Sequence, residues 1–151
     1  MAIDINNFIW SLVRFQAAAA GVECVKPPYG LVAHRAIDGQ VTDPFTVLRA
    51  YGGPSVVKHP LARYGMQWRT QGADPSISLA RAQKLFETLL KPDGTPLRMK
   101  VIEAFKHGDN SPDGEWMIIS AEPQRPGLVG TDDRSRELAI FNADVSFVKR
   151  T

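Results

Sequence analysis

Residues 138–148 read as one long strand, and 141–147 alternate without a break. Phe141, Ala143, Val145 and Phe147 stand on one side, and Asn142, Asp144 and Ser146 on the other. A period of two is the signature of a β-strand with one buried and one wetted face. Such a strand is not stable by itself. Its apolar side must be covered by a second layer, so the chain has to build a sheet and something to lay against it. Residues 63–70 (RYGMQWRT) repeat the pattern, with Tyr64, Met66 and Trp68 facing one way and Gln67 and Arg69 the other. Residues 45–51 (FTVLRAY) read as a further strand closed by Gly52-Gly53-Pro54, and 54–62 as a loop.

Two segments have the helical period that the covering layer needs. Asp4 stands where an N-cap belongs, ahead of a helix over 5–20 in which Phe8, Leu12 and Phe15 share a stripe and Gly21 ends the run. Asp74 and Pro75 open a second helix that runs through Leu90. Leu79, Ala82, Phe86 and Leu89 form its stripe, widened by Leu85 and Leu90, with Arg81, Lys84 and Glu87 off it. Between the helices, residues 22–43 are loose, and Asp38-Gly39 between 31–37 and 40–42 could form a hairpin turn.

The later part reads as three strands with polar connections. Residues 97–106 place Leu97, Met99, Val101, Glu103 and Phe105 on one face, 107–115 form a hydrophilic loop, and 116–121 a short apolar strand. Residues 122–136 form a second polar loop before the last strand. Connections this short cannot hold crossover helices, so the strands pair mostly antiparallel. The expected fold is a single α+β domain over 1–151, with a mixed, mostly antiparallel sheet of four to five strands and two helices on one face.

Composition narrows function. The chain has 151 residues and a net charge of +2, from 18 basic and 16 acidic side chains. That balance argues against a protein whose task is neutralising phosphates, so no direct nucleic-acid recognition is expected. Phe8 to Ala20 is broken by Ser11, Arg14 and Gln16, and reads neither as a signal peptide nor as a membrane span. Cys24 is the only cysteine, and His34, His59 and His107 lack ligand spacing. The acidic stretch from Asp109 to Glu115 is spaced wrongly for a calcium loop, and the Asp132-Asp133 pair reads as a solvated turn. Gly52-Gly53-Pro54 has no following Gly-Lys-Ser/Thr, and Pro54 removes an amide that a phosphate loop would use. Gly-x-Ser-x-Gly does not occur. Trp68, beside Arg69 but on the apolar side of its strand, reads as core or interface rather than as a base-stacking platform. No catalytic residue, metal ligand or cofactor is expected.

The order of motifs adds a resemblance. After an amphipathic helix and a proline- and glycine-broken stretch comes a strand ending in Tyr51-Gly52-Gly53, then Met66-Gln67-Trp68-Arg69-Thr70-Gln71-Gly72. A helix carrying Ala80-Arg81-Ala82 follows and ends in Phe86-Glu87-Thr88-Leu89-Leu90. The loop Leu128-Val129-Gly130-Thr131-Asp132-Asp133-Arg134-Ser135-Arg136 then leads to Phe141-Asn142-Ala143-Asp144-Val145. Over roughly residues 4–149 this series resembles the tail terminator proteins of long-tailed bacteriophages, also called tail completion or minor capsid proteins. Residues 22–43 depart from the family's pattern, being longer and more irregular.

The resemblance implies a structural protein of the virion neck, assembled in the host cytoplasm. It implies a hexameric ring that caps the head-proximal end of the tail tube, stops tube-subunit polymerisation and offers a head-joining surface. The implied partners are further copies of the chain, the tail tube protein and a head-completion or connector protein, with no membrane. The family brings no catalytic residues, so only loops can be nominated. Lys58, His59 and Arg63 in one, and Arg125, Asp132, Asp133, Arg134 and Arg136 in another, mix both signs of charge as polar interfaces do. Two other readings stay open: a neck or head-completion protein of the same particle, and a small-molecule-binding domain or enzyme on an α+β scaffold.

Overall fold

A computed structural model describes residues 5–25, 32–36, 45–51, 62–72, 74–131 and 137–150. Helix α1 spans Ile5–Ala20, followed by strands β1 (Val22–Val25), β2 (Val32–Ala36), β3 (Phe45–Tyr51) and β4 (Ala62–Gly72). Helix α2 (Pro75–Glu87) then leads to β5 (Arg98–Phe105), β6 (Pro112–Pro123), β7 (Gly127–Thr131) and β8 (Glu137–Arg150). The described strands pair antiparallel in the order β1-β2-β3-β4-β8-β6-β5, with β7 beside β8. The fold is α+β, and its sheet exceeds the four to five strands expected. The additions are short strands in the loosely patterned stretch after α1 and in the second polar loop. Asp4, Asp38 and Gly39 lie outside the described residues.

The two alternating segments become neighbours at the middle of the sheet. Trp68 lies opposite Phe141, Met66 opposite Ala143 and Tyr64 opposite Val145. Trp68 and Phe141 stack with centroids 4.6 Å apart, and both are buried, as are Met66, Ala143, Val145 and Phe147. From α2, Phe86 meets the Phe141 ring edge-on at 5.9 Å. From α1, Phe8 stacks on Phe147 at 3.6 Å while Trp116 of β6 meets both rings edge-on.

Helix α1 keeps its expected bounds, and Gly21 ends it at φ +70°. Its polar side chains bind the structure rather than water. The Ser11 hydroxyl accepts from the Phe105 amide at 2.8 Å, satisfying part of strand β5. Trp10 Nε1 donates to the Asp109 carbonyl at 2.8 Å, and Asn7 Oδ1 accepts from the His107 amide at 2.7 Å. The loop after β5 is exposed, as its hydrophilic residues suggest, and its backbone is also tied to α1.

Helix α2 starts as expected and ends earlier, at Glu87 with Thr88 as its cap. Its buried side is formed by Ser78, Arg81, Ala82, Leu85 and Phe86, while Leu79 is turned outward. This corrects the expected stripe at Leu79 and Arg81. The cause is a close approach at the end of β4. Gly72 lies so near Ser78 that a Cβ there would strike its hydroxyl and sit 3.1 Å from its amide nitrogen. Ser78 Oγ instead donates to the Glu137 carbonyl at 2.8 Å, which rolls the helix about its axis toward Ser78.

At the start of α2, Asp74 Oδ1 accepts from the Ser76 hydroxyl at 2.6 Å and the Ile77 amide at 3.0 Å. The Ser76 hydroxyl first, and the Ile77 amide second, hold this carboxyl below the usual carboxylate range. A depressed folded-state pKa gives stability that is present above the unfolded value and lost as pH falls through the folded one. Asp74→Asn keeps a capping oxygen but cannot titrate. The wild type should therefore lose more stability than this variant as pH drops below about 5. Parallel stability-versus-pH curves from urea melts would refute the assignment.

The face expected over 97–106 holds at its ends, where Leu97 and Phe105 are buried, and is reversed in the middle of β5. Ile102 and Ala104 point inward, whereas Met99 and Glu103 are exposed. Met99 has φ +51°, in the left-handed region that side chains seldom adopt, and this turn of the backbone shifts the alternation after Leu97 by one residue.

Candidate functional site

Because β4 and β8 alternate, every second residue is turned away from the buried layer. The side chains so presented are Arg63, Gln67 and Arg69 of β4 with Asn142 and Asp144 of β8. Gln67 Nε2 donates to Asn142 Oδ1 at 3.3 Å. Arg63 Nη2 lies 3.4 Å from Asp144 Oδ2, and both side chains are more than half exposed. A pair this wet contributes at most about 1 kcal/mol, so it leaves Arg63 available to a partner at small cost. Gly65 lies opposite Tyr51, whose ring crosses it; a Cβ would be 2.9 Å from that ring and 3.2 Å from the Tyr51 carbonyl.

The second feature is an arm. Strand β8 is longer than β6, and its first residues pair with β7 instead. Pro123 and Pro126 interrupt the neighbouring strand, but the Gln124 amide donates to the Asn142 carbonyl at 2.8 Å and carries the register across the break. All five residues of β7 are exposed, Leu128 and Val129 among them. Expected as loop, 127–131 is strand because the free edge of β8 offers a ladder to pair with. Its glycines and isolated apolar residues gave no period to read.

Of the nominated interface residues, Arg63 is the second residue of β4, opposite Ser146, and Arg125 is exposed in the link between β6 and β7. The two flank β8 on opposite sides and do not form one cluster. Lys58, His59, Asp132, Asp133, Arg134 and Arg136 lie outside the described residues, as does Gly52-Gly53-Pro54.

The candidate chemical groups serve the fold. Trp68 is fully buried, as core, and its Nε1 donates to Gln16 Oε1 at 2.8 Å. Cys24 is half-buried in β1, and burial pushes its thiol up, away from the thiolate a nucleophile needs. Asp109 Oδ1 accepts from the Ser111 amide at 3.1 Å, and Asp113 Oδ2 lies 3.8 Å from Lys149 Nζ. Among the described residues no three His, Cys, Asp or Glu side chains gather as metal ligands. No described helix is long and apolar enough to cross a membrane.

Sequence reasoning missed Gln16, which reads only as a polar break in an apolar run. It is fully buried, and its Nε2 donates to Thr88 Oγ1 at 2.9 Å and the Leu85 carbonyl at 3.3 Å. One amide thereby joins α1, the end of α2 and β4. No family model, no curated protein and no solved structure matches the chain.

Proposed function

We propose that this chain is a structural protein of a long-tailed bacteriophage particle, a tail terminator. In this reading it closes into a hexameric ring on the head-proximal end of the tail tube, ends tube-subunit addition and presents a surface to the head-completion or connector protein. The observation that carries it is the β7 arm, an exposed strand with Leu128 and Val129 bare, held out on the extended edge of β8. A monomer gains little by exposing such an edge, whereas a subunit that must bind neighbours on two sides can use it.

The layering supports the same reading. Phe8 of α1 and Phe86 of α2 meet Phe147 and Phe141, alternate residues of β8 that share a side. We take both helices to cover one face of the sheet, which leaves the polar face of Arg63, Gln67, Arg69 and Asn142 for other subunits or partners. The motif order that resembles the tail terminators spans these same elements.

Charge reversal on either side of the arm in the sequence tests the proposal. Arg125→Glu combined with Arg134→Glu and Arg136→Glu should leave the far-ultraviolet circular dichroism of the chain unchanged. Like charges set across an interface cost several kcal/mol, so assembly should suffer instead. Electron micrographs of particles made with this variant should show normal heads beside tails of abnormal length. Tails of normal length that fail to join heads would assign the chain to the neck instead. Fully infectious particles would remove the support for the arm as an interface.

A further inference from the structure

We propose that the polar face of the sheet carries a binding site for a phosphate group, centred on Arg49 and Arg69. The two arginines stand on neighbouring strands of that face. Arg49 of β3 lies opposite Gln67, and Arg69 of β4 lies opposite Val47, so the two are one diagonal step apart. Diagonal neighbours are about 7–8 Å apart at the backbone, a span across which two arginine side chains can converge on one group. Between them the surface dips into an open cleft of about 210 Å³, lined by Val47, Arg49, Gln67, Arg69 and Gln71. Every one of these groups belongs to a single subunit, so the site does not rest on the ring reading.

The charge in this cleft is uncompensated. Arg49 and Arg69 are exposed, and neither forms an ion pair or hydrogen bond with a described residue. No carboxylate lines the cleft. Asp144, on the same face, lies opposite Gly65 and is already engaged by Arg63 at 3.4 Å. Two cations this close repel each other, and an anion bound between them removes that cost.

The base of the site is fixed. On the buried side of the same two strands, Thr46 and Thr70 lie directly opposite and share a hydrogen bond at 2.8 Å. Both are fully buried. They lock β3 and β4 at the register that sets Arg49 beside Arg69, so binding does not have to order the backbone first. The donor set then selects the ligand. One guanidinium fork is enough for the two oxygens of a carboxylate. Two forks with the Gln71 amide call for more oxygens and more charge, and a phosphate monoester supplies three acceptor oxygens and up to about two negative charges. Val47, only partly buried, gives the carbon beyond the ester oxygen an apolar wall.

Titration with inorganic phosphate and with glycerol phosphate, at constant ionic strength against chloride, tests the site. Proton–nitrogen correlation spectra should show saturable shifts of the Nε–H signals of Arg49 and Arg69, with the other arginines unmoved. Arg69→Lys keeps the charge but loses the fork, and should weaken binding about tenfold or more. Arg49→Ala combined with Arg69→Ala should abolish it. Neither variant should lower the urea midpoint, because both side chains are exposed and bond no described residue. Lys84→Ala, on the last turn of α2, is the control and should bind as the wild type does. A single-stranded oligonucleotide that displaces glycerol phosphate from these arginines would place the phosphate in a nucleic-acid backbone. Failure to displace it would place the phosphate on a small molecule. Equal binding by Arg69→Lys and the wild type, or an equal loss in Lys84→Ala, would reduce the effect to general charge attraction and overturn the site. Absence of any saturable shift up to roughly 10 mM of either probe would overturn it as well.

Discussion

Truncating Phe147 to alanine is expected to destabilise the fold by about 3–5 kcal/mol, the range for removing a buried aromatic ring from a core. The ring is fully buried, stacked on Phe8 and met edge-on by Trp116 and, at 5.9 Å, by Tyr64 stacked beside it. It joins α1 to three strands, since Phe8, Tyr64 and Trp116 come from α1, β4 and β6. Against a total stability of about 5–15 kcal/mol, that loss leaves little in reserve. Urea unfolding should show a lower midpoint with an unchanged slope. Leu128→Ala on the exposed arm is the control and should stay within about 0.5 kcal/mol of the wild type. Equal midpoints for the two variants would mean that Phe147 does not hold the α1 side of the core.

The second large effect is expected at Gln16. Gln16→Leu nearly conserves volume but removes the acceptor of Trp68 Nε1 and the donor to Leu85 and Thr88. A buried donor left without a partner costs about 1–3 kcal/mol, and a loss of that size is expected, since the Leu85 carbonyl keeps the Thr88 amide and hydroxyl as donors. The cause can be separated from lost packing. Trp68→Phe removes the indole N–H, so adding Gln16→Leu to that variant should cost less than adding it to the wild type, by about 1 kcal/mol or more. Strict additivity of the two substitutions would show that the Gln16–Trp68 hydrogen bond contributes nothing of its own.

These two sites mark where local pattern ends. The bounds of α1, the Asp74–Pro75 start of α2 and the inward faces of β4 and β8 were legible because each is written in neighbouring residues. Alternation, a capping carboxylate and a proline at the first turn act over a few positions. The same alternation put Phe141 and Phe147 on one side of β8, but could not say that Phe141 meets α2 and Phe147 meets α1. That division follows from the length of a 14-residue strand, which reaches beyond either helix.

By itself, then, the sequence determined the alternation of β4 and β8, the bounds of α1, the start of α2 and the need for a covered sheet. Tertiary structure alone decided the partners. Gln16 looks like a flaw in an apolar stripe until Trp68, 52 residues on, and Leu85, 69 residues on, are brought to its amide. Leu79 fits the helical stripe better than Arg81, yet the approach of Ser78 to Gly72 turned the helix the other way. Met99 had the phase of an inward residue until its αL backbone shifted β5 by one position. The arm has no period at all and became a strand because β8 had an edge to spare. In each case the deciding interaction joins residues far apart in the chain, and a short-range pattern carries no information about which distant surface will arrive to complete it.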